Sequence, residues 1–159
     1  MRRWVPLGLG AAVTAAVAAA SMLFTPAPQA AADDVPPVAV EDFAYPDADR
    51  IHEDTGIRLI SGDGHILLAE CGSAGLIEVW ARGRDDRFCL SVRGASGRLA
   101  LEVPQVYGIK GNDYRIVADM TVDGAETSYD ITPNSWTAVG ETADPEGRDH
   151  TLVELHAAK

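Results

Sequence analysis

The sequence predicts an all-β protein: a small antiparallel β-sandwich of about eight short strands, with one disulfide and one short N-terminal helix. Beyond residue 56, short apolar runs alternate with glycine- and aspartate-rich turn segments such as GDG at 62–64 and GSAG at 72–75. Two cysteines separated by seventeen residues supply the disulfide. The segment DADRIHEDTG at 47–56 begins with acidic residues and ends in glycine, which favours a short helix.

An export signal is predicted over residues 1–32. A pair of arginines near the N-terminus is followed by a stretch without charge at 4–24, and three alanines at 30–32 satisfy the small-x-small rule. This pattern predicts a signal peptide that is cleaved just before Asp33. A retained anchor is the alternative, because an uncharged stretch of this length can span a bilayer. Both outcomes place the rest of the chain outside the cytoplasm, and after cleavage we expect a secreted protein with no stable membrane insertion.

The mature chain is predicted to consist of a flexible segment and one domain. Residues 33–46 (DDVPPVAVEDFAYP) are acidic, contain prolines and show no apolar period, which is typical of a linker. Residues 47–159 suit a single sandwich domain with its own core. Within this domain, the segments at 104–113 and 141–150 are predicted to be loops.

Two hairpins can be placed in register from the sequence. The segment GRDD at 83–86 predicts a hairpin in which Val79 faces Leu90, so that apolar side chains share one face. The pair Asp123-Gly124 is a strong signal for a type I′ turn, and it places Met120 opposite Thr127 and Ile116 opposite Ile131. Both hairpins therefore support the prediction of antiparallel sheets.

Cys71 and Cys89 are predicted to form a structural disulfide. Cysteines of exported proteins are expected to be oxidised, the spacing is not C-x-x-C, and no cysteine or histidine lies nearby at zinc-ligand spacing. A simple meander of three strands would separate the two residues by roughly 16 Å, whereas a disulfide spans no more than about 7 Å between Cα atoms. We therefore predict that residues 65–71 lie beside the strand at 87–93, or that the GSAG segment crosses over that strand.

The charge of the chain restricts the classes of partner. The full chain has 13 basic and 24 acidic side chains, for a net charge of −11. Removing the signal peptide removes two arginines and no acids, so the mature chain has 13 − 2 = 11 basic and 24 acidic side chains, a net charge of −13. Such a charge disfavours nucleic acid and anionic membrane surfaces as partners.

The common catalytic motifs do not occur in this chain. It has no G-x-S-x-G, no H-E-x-x-H, no phosphate-binding loop and no dinucleotide fingerprint. The even spacing of His150 and His156 would place both on one face of an extended strand, but about 20 Å apart, which is too far for one metal site. The acidic residues within 47–54 do not match a calcium-binding loop. We therefore expect no catalytic residue, no metal and no cofactor, and we interpret the four histidines, which include His52 and His65, as solvated or capping residues.

Aromatic residues are the best candidates for a binding surface. Trp136 and Tyr107 are the candidate ligand-binding residues, because both lie beside predicted turns or in predicted loops, where exposed rings often provide specificity. Trp80 is predicted to lie on the face opposite Val79. We expect its ring to pack against the disulfide beneath residues 45–56.

The run GIRLISGDGHILLAEC, followed by IEVW, FCL and LEVP, resembles uncharacterised small secreted proteins of actinobacteria. The similarity covers residues 44–156, the whole predicted domain. It implies export and a single β domain, and it transfers no functional residues because the group has no assigned activity.

These observations predict a secreted, non-enzymatic binding domain whose partner is an extracellular protein, a glycan or a cell-wall component. One alternative is an extracellular hydrolase with a dispersed active site, built from acids and a histidine that spacing in the sequence does not reveal. Another is a protease inhibitor that inserts an exposed loop, at 83–86 or 141–150, into a protease. The fold alone does not choose among the three, since sandwiches support all of them.

Overall fold

The computed structural model describes residues 43–159, which form two antiparallel sheets of five strands around one apolar core. The all-β sandwich, the short helix and the disulfide are confirmed. The predicted signal peptide and most of the predicted linker lie outside the described residues. Within 43–159, no helix is long and apolar enough to cross a membrane.

Ten strands and one helix make up the domain, rather than about eight strands. In chain order they are α1 (Ala48–Thr55), β1 (Arg58–Gly62), β2 (Ile66–Ala69), β3 (Ile77–Ala81), β4 (Phe88–Val92), β5 (Ser96–Val103), β6 (Val106–Lys110), β7 (Arg115–Val122), β8 (Ala125–Ile131), β9 (Trp136–Ala138) and β10 (Thr151–Ala158). A turn of 3₁₀ helix at Gly140–Thr142 follows β9. The first sheet has the order β1-β5-β10-β7-β8, and the second has the order β2-β4-β3-β6-β9.

The disulfide has the strand arrangement that the limit on its Cα–Cα distance predicted. The strand β2 pairs with β4, with Ala69 opposite Cys89, so the simple meander is excluded. The Cα atoms of Cys71 and Cys89 are 5.3 Å apart, and the bond links the segment just after β2 to the second residue of β4. The prediction that 65–71 lies beside 87–93 is therefore confirmed.

The turn at Asp123-Gly124 has the predicted register. Both residues have positive φ, 49° and 78°, as a type I′ turn requires. Met120 pairs with Thr127, and Ile116 pairs with Ile131. This hairpin is confirmed in full.

The predicted register of the hairpin between β3 and β4 is wrong by two residues. Val79 pairs with Phe88 and not with Leu90, because the connection is longer than GRDD alone. The backbone N–H of Arg82 donates to the carbonyl of Gln105 instead of continuing the pairing with β4. A shift of two residues preserves which side chains face the core, so the apolar face was nevertheless predicted correctly.

The predicted loop at 104–113 contains a central strand. The strand β6 lies between β3 and β9, and Ile109 is fully buried opposite Val79. Gly108 interrupts the apolar alternation of VYGIK, which is why the segment does not resemble a strand in the sequence. The strand β6 therefore lies between Trp80 on β3 and Trp136 on β9.

Residues 43–46, which we assigned to the linker, contact both sheets. The N–H of Tyr45 donates to the carbonyl of Ile60 on β1 at 3.0 Å. Its hydroxyl accepts a hydrogen bond from the N–H of Leu68 on β2 at 2.8 Å. The helix α1 follows directly and ends at Gly56, whose left-handed conformation (φ 71°) is that of a helix terminus.

Candidate ligand-binding surface on the second sheet

The outward side of the second sheet presents two tryptophans, on strands β3 and β9, which lie on either side of β6. Alternation along β3 buries Val79 and turns Trp80 outward. Trp80 pairs with Gly108 on β6, and Gly108 pairs on its other side with Ala138 on β9. We call this surface the tryptophan face and define it by Trp80, Gly108 and Trp136.

Trp136 is one of three large apolar side chains that are exposed among the described residues. It pairs with Lys110, and 48% of its surface is exposed. Its indole lies over Gly108: a Cβ atom added there would be 2.3–2.6 Å from three atoms of the ring. The missing side chain of Gly108 therefore provides the space that the indole occupies.

A cluster of three charged side chains borders the tryptophan face. The Glu78 carboxylate accepts a hydrogen bond from Lys110 Nζ at 2.7 Å and forms an ion pair with Arg87 Nε at 2.5 Å. The hydrogen bond from Lys110, supported by that from Arg87, lowers the pKa of Glu78 below its usual value despite partial burial of the carboxylate. Glu78 therefore remains ionised at neutral pH and holds two cationic donors beside the indoles.

Trp80 is half-buried, and its surroundings differ from those we expected. The Arg87 guanidinium lies 5.9 Å from the centre of its ring, which is within cation–π range. Cys89 pairs with Glu78 rather than with Trp80. Residues 45–56, expected as a cover for this ring, contact β1, β2 and the β3–β4 loop instead.

Tyr107, the other predicted binding residue, lies at a bulge in β6. The register between β3 and β6 shifts between Trp80 and Ala81, which leaves Tyr107 without a direct partner on β3. The Arg82 guanidinium lies 4.4 Å from the centre of the tyrosine ring, and Arg82 Nε donates to Glu141 at 2.7 Å. One side of the Tyr107 ring is thus occupied, whereas Trp136 remains open to a ligand.

The four histidines have four different environments. His52 is exposed on α1, and His65 lies 3.6 Å from the carboxylate of Asp63. His150 is buried between the carbonyl of Arg148 and the hydroxyl of Tyr129. His156 is half-exposed and faces two carboxylates on the outer side of the first sheet.

The expectation that His150 and His156 share one strand face is wrong. The register of β10 shifts between Leu152 and Glu154, and this bulge reverses the alternation. His150 consequently points into the protein, and His156 points outward. Bulges of this kind leave no signal in the spacing of the sequence.

The dispersed hydrolase that we considered would need a serine or threonine hydroxyl hydrogen-bonded to a histidine. Among the described residues, Ser128, Asp119 and His156 bring a serine hydroxyl, a carboxylate and a histidine together. The Ser128 hydroxyl donates to Asp119, however, and Asp119 lies between the hydroxyl and the histidine. A Ser-His-acid triad requires the hydroxyl to bond to the imidazole itself.

The segment at 141–150 is organised around one carboxylate. Asp144 accepts hydrogen bonds from the backbone N–H of Glu146 and from the N–H and guanidinium of Arg148. The hydrogen bond from the Arg148 side chain is the main reason that the pKa of Asp144 falls from 3.8 to about 2. This loop is therefore held by its own charged side chains, close to the 3₁₀ turn that contacts Tyr107.

The chain matches no protein-family model, and no curated protein matches it.

Proposed function

We propose that this protein is an extracellular binding domain that recognises a cell-wall glycan through the tryptophan face. The observation that supports the proposal most strongly is the position of Trp136. Its indole is half-exposed, lies over a glycine and has charged hydrogen-bonding groups beside it.

The chemistry of this surface suits a sugar. Pyranose rings present a patch of C–H groups on one side and hydroxyls around the edge. Aromatic side chains provide a rigid apolar contact at a small cost in conformational entropy. Lys110 and Arg87 provide donors for the hydroxyls, and the Glu78 carboxylate between them holds both in place.

The predicted export of the chain supports an extracellular glycan as the partner. The sequence at 1–32 has the pattern of a signal peptide, and the Cys71–Cys89 disulfide is compatible with an oxidising location. The cations Lys110 and Arg87 beside the tryptophan face balance the carboxylates of Glu78 and Asp86, on a chain whose net charge is strongly negative. An acidic wall polysaccharide therefore meets less repulsion there than the net charge of the whole chain would suggest.

The test is retention of the mature chain on insoluble wall polysaccharides, compared between Trp136→Ala and Ile60→Ala. Ile60 is the matched control, since it is equally exposed at 48% and lies on β1 of the first sheet. We expect Trp136→Ala to weaken binding about tenfold or more, which corresponds to about 1.4 kcal/mol, and Ile60→Ala to leave it unchanged. Equal binding by both variants, or no retention of the wild-type protein, would reject the proposal.

A further inference from the structure

We propose that Asp119, Glu154 and His156 form a binding site for a divalent transition-metal ion, with Zn²⁺ as the best match, on the outer side of the first sheet. This site is independent of the glycan proposal, since it lies on the other sheet. It consists of one nitrogen and two carboxylate ligands, a donor set that zinc accepts.

Two adjacent strands bring the three side chains together. Glu154 on β10 pairs directly with Asp119 on β7, and His156 is the next outward residue along β10. The bulge after Leu152 sets this alignment, because it turns Glu154 outward while Leu155 remains fully buried. The ligands therefore extend from a hydrogen-bonded sheet rather than from a loop, which favours a preorganised site.

The separations between donor atoms match those of co-ligands on one ion. His156 Nε2 lies 3.5 Å from Asp119 Oδ2 and 3.5 Å from Glu154 Oε1. Each of the three residues offers a ligand atom within 4.8 Å of the others. In tetrahedral zinc sites the ligands lie about 2.0–2.2 Å from the metal, which places neighbouring ligand atoms about 3.3–3.6 Å apart. One imidazole nitrogen thus has two carboxylate oxygens at this spacing.

Neighbouring side chains orient the carboxylates. The Ser128 hydroxyl donates to Asp119 Oδ1, which leaves Oδ2 directed at His156. Such supporting hydrogen bonds commonly orient metal ligands. Arg98 forms an ion pair with Glu154 Oε1 and is the group with which a metal would compete for that oxygen.

The site is open on its solvent side. His156 is 45% exposed, whereas the carboxylates of Asp119 and Glu154 are 16% and 22% exposed. A surface cavity of about 310 Å³ beside His156 is lined by Arg98 and Arg115 among others. Three protein ligands would leave a fourth position facing this cavity, for water or for an anionic ligand attracted by the two arginines.

The experiment is a titration of the tag-free mature chain with Zn²⁺, followed by calorimetry and by native mass spectrometry. His156→Ala removes the nitrogen ligand. His65→Ala is the matched control, since His65 is also about half-exposed and lies 3.6 Å from a single carboxylate, that of Asp63. We expect one ion per wild-type chain, affinity reduced about tenfold or more in His156→Ala, and no change in His65→Ala.

A second readout separates coordination from simple charge attraction. Co²⁺ bound by His156 and the two carboxylates should give the visible absorption of a low-coordinate complex, and His156→Ala should abolish it. Equal zinc affinity in wild-type protein and His156→Ala, or no zinc binding to either, would overturn the assignment. A cobalt spectrum unchanged by His156→Ala would also overturn it.

Discussion

At the scale of single residues, Gly108 determines whether the proposed binding surface can exist. It is not at a turn and does not have a positive φ. Its role is steric, since the Trp136 indole occupies the volume that any side chain at 108 would need. A glycine within a strand usually weakens the strand, and here it provides room for an aromatic ring.

Gly108→Ala should therefore displace Trp136. We expect loss of stability of about 1–3 kcal/mol, the usual range for overpacking, and weaker glycan binding. In the background of Trp136→Ala the same substitution should cost little, because the ring is no longer present. Urea unfolding of the four proteins of this cycle tests the claim, and equal costs in both backgrounds would show that the indole does not lie over Gly108.

Asp144 should contribute to the acid sensitivity of the protein. The pKa of Asp144 is lowered from 3.8 to about 2, so its contribution to stability is complete above the unfolded-state value near 3.8. That contribution is lost as the pH falls from about 4 to about 2. Asp144→Asn should lower stability at pH 7 and flatten the pH dependence over that interval. Unfolding curves for both proteins at several pH values measure this, and parallel curves down to pH 2 would contradict it.

At the scale of elements, the disulfide links neighbouring strands of the second sheet. It restricts the unfolded chain between Cys71 and Cys89, a separation of 18 residues. Replacing both residues with serine should lower the free energy of unfolding by about 3 kcal/mol without changing the strand order. Denaturant unfolding measures the change in free energy. Loss of the β2–β4 pairing in the amide nuclear magnetic resonance spectrum of the variant would contradict the prediction that the strand order is unchanged.

The local sequence predicts some elements more completely than others. Asp123-Gly124 has a turn preference strong enough to define its hairpin residue by residue. The β3–β4 connection does not, because Arg82 leaves the hairpin to bond to Gln105, a contact with no local signal. The strand β6 was missed because Gly108 breaks its alternation, and that same glycine creates the space for Trp136.

The tryptophan face and the proposed metal site also differ in how well the sequence predicts them. The sequence made Trp136 a candidate binding residue, since it is an aromatic residue beside a predicted turn. It did not identify the cluster of Asp119, Glu154 and His156, whose members come from strands separated by about thirty positions. Their proximity depends on the pairing of β7 with β10 and on the bulge in β10. Neither feature is visible in the spacing of the residues.

At the scale of the whole molecule, the sandwich separates two outward surfaces with different chemistry. The second sheet presents indoles with a charged border, and the first presents polar and ionisable side chains around His156. The core between the sheets supplies the rigidity on which both surfaces rely, with Leu90, Leu101 and Ile109 fully buried. We therefore predict that a glycan and a metal ion bind at opposite sides without competing.

The most direct test of the central claim is a nuclear magnetic resonance titration of the wild-type mature chain with soluble fragments of the wall polysaccharide. We predict that the indole N–H of Trp136 and the amides of Gly108 and Lys110 shift, while the amide of Ile60 on the first sheet stays unchanged. Shifts confined to the first sheet, or no shift at Trp136 when the fragments bind, would contradict the assignment of the tryptophan face as the binding surface.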